Sequence, residues 1–280
     1  MADEKIAILG GKGMLGTDVA RACKRHNIKA VVLDLPEFDI TNDDDLSNAV
    51  KNASIIVNCA AYTNVDKAES EPSAAYAVNA DAVGKLGVLA RAADIPVIHI
   101  STDFVFDGRT DKPYTEEDDT KAINIYGKSK LTGEQLLIES GCQYCIIRVE
   151  WTYGIAGNNF IKKLLSLAEQ METLTIVDDQ IGSPTATVDV AEVICQFIKD
   201  RRQGLFHFAS AGFASRFEMA KFIAEKLNLT VEIKSCKSSK YKTAAKRPLN
   251  SRFDCSKIQQ LLPMPIKPWQ QSLEQFLEQL

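Results

Sequence analysis

The chain predicts an α/β protein: a doubly wound parallel sheet of Rossmann-like type with a smaller C-terminal substrate domain. Three observations predict it. Short, near-continuously apolar runs alternate with helix-period segments over residues 5–149, the pattern of strands covered on both faces. The glycine turn Gly10-x-x-Gly13-x-x-Gly16 stands between the first strand and the first helix, where a dinucleotide's pyrophosphate can meet a helix N-terminus. Tyr126 precedes Lys130 by one helical turn, with Ser101-Thr102 upstream, so a phenol and an ammonium can share a helix face.

The elements follow in order. Strands are read at Lys5 to Leu9, Lys29 to Leu33, Ser54 to Asn58, Val97 to Ser101 and Tyr144 to Val149. Between them lie helical patterns at Met14 to His26, Asp44 to Val50, Glu71 to Ala93 and Asn124 to Glu139, with Pro72 suited to a first helical turn. The second half is less regular. Helices are read at Asn159 to Met171, Val188 to Lys199, Phe217 to Leu227 and Trp269 to Leu280. Strands are read at Leu174 to Val177, Leu205 to Phe208 and Val231 to Ile233. The expected division is 1–150 for the dinucleotide-binding domain, rejoined by the 188–200 helix, and 151–280 for the substrate domain. The polar segment Ser235 to Ser251 carries Lys237, Lys240, Lys242, Lys246 and Arg247, and reads either as a solvated loop or as a lid that meets an anion.

Composition narrows the class. The 280 residues are 45% hydrophobic and 25% charged, with a net charge of −4. This mild acidity gives no support for nucleic-acid or anionic-membrane binding. No apolar run reaches the roughly 20 residues of a membrane span. The start, Met1-Ala2-Asp3-Glu4-Lys5, lacks the basic region and apolar core of an export signal, so a cytoplasmic address is expected. Seven cysteines, an odd number, are expected to be reduced thiols. Cys142-x-x-Cys145 has no second pair at metal-ligand spacing, and Cys145 opens the apolar run Cys145-Ile146-Ile147. No metal is expected. His26, His99 and His207 are scattered, and the last two, inside apolar runs, read as core or strand residues.

Residues for a dinucleotide are spread over the first half. The glycine turn, with Gly10, Gly13, Met14, Leu15 and Gly16, would carry the pyrophosphate. Asp34 ends the second strand eighteen residues past Gly16, where a carboxylate accepts bonds from ribose hydroxyls and repels a 2′-phosphate. NADH is thereby favoured over NADPH, although Lys12, Arg21 and Lys24 are cations that a phosphate would need. Asp39-Ile40 is placed at the adenine edge after a short third strand, with capping of the helix beyond Thr41 as the plainer role. Asn58-Cys59-Ala60-Ala61 ends the next strand with small residues, which suits Cys59, Ala60 and Ala61 to close passage of the cofactor's ribose. An ammonium at Lys130 would lower the Tyr126 phenol from its usual pKa of about 10. A proton donor beside a hydride donor reads as carbonyl reduction.

These pieces together resemble the extended short-chain dehydrogenase/reductase family. Within it the chain resembles the subgroup that reduces dTDP-4-dehydrorhamnose. The likeness runs through Asp66-Lys67-Ala68-Glu69, Ser101 to Gly108, Tyr126 to Lys130, Gly157-Asn158-Asn159-Phe160, Asp179 to Thr185 and Lys246-Arg247-Pro248. It implies that Tyr126 donates the proton, that Lys130 lowers its pKa and holds the nicotinamide ribose, and that Thr102 bonds the substrate oxygen. It implies a nucleotide-sugar substrate met by Thr102, Asp103, Phe104, Trp151, Asn158, Asn159, Gln180 and Arg247. Phe104 stands where the family's dehydratases carry a glutamate, which argues against water loss. Glu150, in Arg148-Val149-Glu150-Trp151, departs from the small residue common there and puts a carboxylate near the expected sugar. The same family contains a non-catalytic regulatory protein, the β subunit of methionine adenosyltransferase, so a regulatory role is the alternative reading, together with a related epimerase or reductase. A homodimer is the assembly considered.

Overall fold

The computed structural model describes residues 5–280, so the signal-free start read at Met1–Glu4 lies outside the described residues. The elements in chain order are β1 (Ile6–Leu9), α1 (Met14–Arg25), β2 (Ala30–Leu33), α2 (Asp43–Lys51), β3 (Ile55–Asn58), α3 (Val65–Ala68) and α4 (Pro72–Tyr76). A π-helical turn at Ala77–Asp81 leads into α5 (Ala82–Ala93), β4 (Val97–Thr102), α6 (Ile125–Glu139) and β5 (Tyr144–Val149). The second half holds β6 (Thr152–Tyr153), α7 (Phe160–Ala168), β7 (Thr173–Val177), β8 (Ile181–Gly182), β9 (Thr185–Ala186), α8 (Thr187–Asp200) and β10 (Gly204–Phe208). It ends with β11 (Ala214–Ser215), α9 (Arg216–Lys226), β12 (Glu232–Cys236), α10 (Ser256–Gln259) and α11 (Trp269–Leu277).

Six parallel strands form the main sheet in the order β2-β1-β3-β4-β5-β10. β1 and β3 are buried along their whole length, which explains their unbroken apolar runs. One face is covered by α1 and α8, whose Val19, Ala22, Cys23, Val190, Ile194 and Phe197 pack on Ile6, Ile8, Ile55 and Ile147. The other face is covered by α2, α5 and α6 through Leu46, Val50, Val83, Leu86 and Leu137. Chain order reverses between β1 and β3, so their C-terminal ends open the crevice where doubly wound sheets bind ligands.

The chain crosses back after residue 150. α8 and β10, both from the second half, complete the main core and its edge. A separate core gathers Tyr153, Ile161, Leu164, Met219, Ile223, Trp269, Leu273 and Phe276. The helix read as continuous from Glu71 to Ala93 is interrupted by the π turn. The extra residue in that turn aims Asn79 inward. Its Oδ1 accepts from the Tyr62 amide at 2.8 Å, and its Nδ2 donates to Ser129 Oγ at 3.0 Å.

Candidate active site

The glycine turn behaves as its spacing predicts. Gly10 has φ +70°, and a Cβ there would stand 2.6 Å from Ala60 Cα, so the turn and the end of β3 touch backbone to backbone. Gly13 is the N-cap of α1 and makes no side-chain cap, and the first turn carries no acidic residue. The amides at this helix end are left to face an anion. Met14 and Leu15 open the helix, and the loop Gly154–Asn159 reaches over it: a Cβ on Gly154 would lie 3.0 Å from Met14. A dinucleotide's pyrophosphate fits this cradle on steric and electrostatic grounds.

Asp34 follows β2 directly. Its carboxylate accepts from the Lys12 amide at 2.7 Å and the Leu35 amide at 2.8 Å. Lys12 Nζ pairs with Glu37 at 2.5 Å and donates to the carbonyl oxygen of Leu35, the residue after Asp34. The short strand expected before Asp39-Ile40 is absent among the described residues, since none lies between β2 and α2. Asp39 instead accepts from the Thr41 amide and hydroxyl at 2.9 and 2.8 Å, while Asn42, not Asp39, caps α2. A short carboxylate bonding its own backbone two residues on favours a turn over a strand. Ile40 is buried against α2.

The reacting groups meet at the C-terminal end of β4 and the N-terminal end of α6. Asn124 caps α6 through the Gly127 amide at 2.7 Å. Gly127 packs so tightly under Phe104 O that a Cβ there would clash. Ser129, wholly buried, donates to Tyr126 O at 2.8 Å and accepts from Asn79. The Phe104 ring meets Tyr126 edge-on at 5.5 Å, and Thr102 is close enough to favour the ionised form of the phenol. Lys130, one turn on, donates to Ile100 O at 2.7 Å and lies 3.2 Å from His99 Nε2. His99 was read as a core residue; it is that, and it also braces Lys130. The Asn58 amide holds the other ring nitrogen at 3.1 Å.

Burial sets the charges. It pushes the Tyr126 phenol up to about 12, opposed by Thr102 and assisted by Asp103. It pushes the Lys130 ammonium down to about 8. The depression of Tyr126 expected from the i, i+4 spacing is therefore not produced by the protein's own groups, because Lys130 points to Ile100 O and His99. A protonated phenol is the form that a proton donor needs.

On the substrate side the structure gives four of the residues read from the sequence partners within the protein. Arg247 does not present a free fork: it is paired with Asp66 at 2.6 and 3.2 Å. Asn159 is a helix cap, accepting from the Lys162 amide at 3.1 Å and donating to Gly154 O at 2.8 Å, so both ends of its amide are committed to backbone. Glu150 turns inward, where its carboxylate accepts from the Ser183 amide at 2.8 Å and the Phe253 amide at 3.3 Å. Burial, then Asp103, drives it well above the usual carboxylate range. Trp151, at φ +47°, has one ring face covered by Arg216, whose guanidinium lies 3.5 Å from the ring centroid. Arg216 was not singled out by the sequence. It sits half-buried at the start of α9, with its amide on Gln180 O, and desolvation draws it down to about 10. Among the described residues no acceptor lies within hydrogen-bonding reach of its guanidinium. Asn158 is exposed.

In the polar segment 235–251, residues 239–244 are exposed as a solvated loop, while the end of the segment is tied down. The Asn124 side chain donates to Lys246 O at 2.7 Å, the Ala245 amide bonds Asp66, and Ser251 is buried. The C-x-x-C cysteines are free thiols, both buried.

A glycine-lined dinucleotide crevice joined to a Thr–Tyr–Lys group on one parallel sheet defines an extended short-chain dehydrogenase/reductase. The family model described as the RmlD substrate binding domain matches residues 4–280, and the chain belongs to that family. A dTDP-4-dehydrorhamnose reductase of Sinorhizobium fredii is 36% identical over 96% of this chain and 95% of its own length. Among solved structures, dTDP-4-dehydrorhamnose reductase of Bacillus anthracis in complex with NADP superposes with a TM-score of 0.95. It is 34% identical, and 99% of each chain is covered. The reductase of Clostridium acetobutylicum gives a TM-score of 0.94 at 33% identity, covering 98% of this chain and 99% of that one.

Proposed function

We propose that this chain reduces the C4 ketone of a nucleotide-linked 6-deoxy-4-keto sugar, dTDP-4-dehydrorhamnose, to give dTDP-rhamnose. The observation that carries the reading is the convergence of Thr102, Tyr126 and Lys130 beside the Gly10–Gly16 turn. The reduced nicotinamide supplies the hydride when bound. Thr102 and Tyr126 hold the carbonyl oxygen, and Tyr126 gives it a proton as negative charge develops there. Lys130 holds the nicotinamide ribose. Gly10, Gly13, Met14, Leu15 and Gly16 hold the pyrophosphate, and Cys59, Ala60 and Ala61 let the nicotinamide half pass. Asp34 takes the adenosine ribose, which favours NADH, while NADPH remains usable because Lys12 lies next to it.

Residues 1–150 with the returning 187–208 segment would act as the dinucleotide domain, and the remainder as the sugar-nucleotide domain. The sugar nucleotide would lie among Asp103, Phe104, Trp151, Asn158, Gln180 and Arg216, with Arg247 at its edge. A cytoplasmic location and a homodimer complete the reading, the latter testable by light scattering.

A regulatory role is disfavoured because the proton donor, its hydroxyl partner and the lysine are all retained. The test is a panel of dTDP-, UDP- and GDP-linked 4-keto sugars with NADH and with NADPH, followed by loss of reduced-nicotinamide absorbance. Turnover fastest with dTDP-4-dehydrorhamnose supports the proposal. No turnover with any member, together with co-purification of a partner enzyme, would leave the regulatory reading in its place.

A further inference from the structure

Asp103 follows Thr102 directly and is 3% exposed. Thr102 Oγ1 donates to Asp103 Oδ1 at 3.0 Å and accepts from the Phe104 amide at 3.2 Å. Ser251 Oγ donates to the other carboxyl oxygen. A hydroxyl has one proton to give and two lone pairs to receive. When Asp103 is ionised, the Thr102 proton goes to the carboxylate. The Phe104 amide fills one of its lone pairs. In that arrangement Thr102 has no proton to offer a substrate oxygen. One proton added to Asp103 Oδ1 reverses the chain. Thr102 then accepts from Asp103 and Phe104, and its own proton is released toward the cleft.

We propose that Asp103 is a protonated carboxylic acid in the reactive complex, a positioning residue that donates to Thr102 Oγ1 and so turns the Thr102 proton onto the substrate's carbonyl oxygen. The groups facing it fit that state. From the end of β5, Glu150 adds a second buried carboxyl, satisfied by backbone amides. From the start of α9, Arg216 attracts Asp103 through space but forms no hydrogen bond with it. Tyr126 on α6 and Ser251 complete the surroundings. Burial raises the Asp103 carboxyl to about 6, against the opposing pull of Ser251, Thr102 and Arg216. The proton is thus held at little cost near neutral pH, and a substrate that excludes water holds it further.

The inference rests on the reading of Thr102 and Tyr126 as the pair that meets the ketone. A raised carboxyl is protonated below its pKa, so kcat/KM, which reports the free enzyme, falls as pH rises through it. Asp103→Asn supplies an amide N–H to Thr102 in place of the acid O–H. It is expected to lose less than about tenfold in kcat/KM at neutral pH and to lose this alkaline limb. Asp103→Leu, which gives Thr102 nothing, should lose roughly 10²-fold or more, the scale of a lost oxyanion donor. Ser251→Ala removes a donor that favours the ionised form and should move the limb to higher pH. A readout independent of turnover is infrared spectroscopy of the complex with oxidised cofactor and dTDP-rhamnose. A protonated-carboxyl band present in the wild type and missing in Asp103→Asn is the expected result.

If Asp103→Asn folds and is as slow as Asp103→Leu at every pH, or if no such band exists, Asp103 works as a carboxylate and the proposal is wrong. Failure of the underlying reading looks different: Tyr126→Phe would then react at the wild-type rate whatever Asp103 does.

Discussion

Arg247 and Asp66 form a forked ion pair, 2.6 and 3.2 Å long, across 181 residues of sequence. It fastens the C-terminal basic segment to α3. The Arg247 guanidinium holds the Asp66 carboxyl below the usual carboxylate range. The pair explains why a residue chosen as a diphosphate contact is already occupied, and why the half-buried and unbonded Arg216 is the stronger candidate for a substrate's oxygens.

Substituting Arg216 with Met removes a guanidinium that the protein itself does not use as a hydrogen-bond donor. The expected outcome is a KM for the sugar nucleotide raised about tenfold or more, the scale of a charge-assisted hydrogen bond, with cofactor affinity unchanged. Arg247→Lys should raise KM less, because its main bond is to Asp66. Its stability loss should stay within about 1 kcal/mol, since both side chains are partly exposed. Steady-state kinetics on the two variants, with thermal unfolding of each, decides between them. A larger KM effect at Arg247 would restore it as the substrate's arginine.

Glu134 and Arg148 form the buried counterpart. The pair is joined by bonds of 2.6, 2.9 and 3.2 Å, and both side chains are nearly inaccessible. Glu134 lies one turn beyond Lys130 and fastens α6 to β5. Glu134→Leu strands a buried guanidinium and should cost about 3–5 kcal/mol in denaturant unfolding. A loss below about 1 kcal/mol would show that Arg148 finds other acceptors, with His207 Nε2 at 3.4 Å the nearest.

Asp34→Ala should weaken NADH binding and relieve the penalty against NADPH. The backbone amides of Lys12 and Leu35 that it now satisfies become donors for a 2′-phosphate. The measurement is the ratio of kcat/KM for the two cofactors before and after mutation. An unchanged ratio means that Asp34 shapes the turn without touching the ribose.

Much of this was legible in the sequence wherever the cause is local. β1, β3 and β5 declare themselves because strands buried on both faces are apolar at successive positions. The helix starts at Met14 and Trp269 follow from periodicity, and that at Ile125 reads one residue early, at its cap Asn124. The Gly10 turn and the Tyr126–Lys130 spacing are read directly, since one turn of helix fixes them. What escaped is long-range or breaks a local rule. The π turn at Ala77–Asp81 has the composition of an ordinary helix, and only its tertiary partners Tyr62 and Ser129 reveal it. Asp66 and Arg247 cannot be paired by pattern, nor can Arg216 be told from a solvated helix start. His99 reads as a strand residue because its neighbours are apolar, while its contact with Lys130 depends on where α6 crosses β4. The return of Gly204–Phe208 to the main sheet is likewise a matter of topology.

The central claim is that Tyr126 delivers a proton to a sugar ketone held by this chain. Its most direct measurement is kcat for wild type and Tyr126→Phe on dTDP-4-dehydrorhamnose, run side by side, with the cofactor dissociation constant of each. The account predicts turnover to dTDP-rhamnose by the wild type, a loss of roughly 10²–10⁴-fold in the variant, and a cofactor affinity nearly unchanged. A variant that reduces the sugar at the wild-type rate, or a wild type that binds the cofactor and never reduces the sugar, would contradict it.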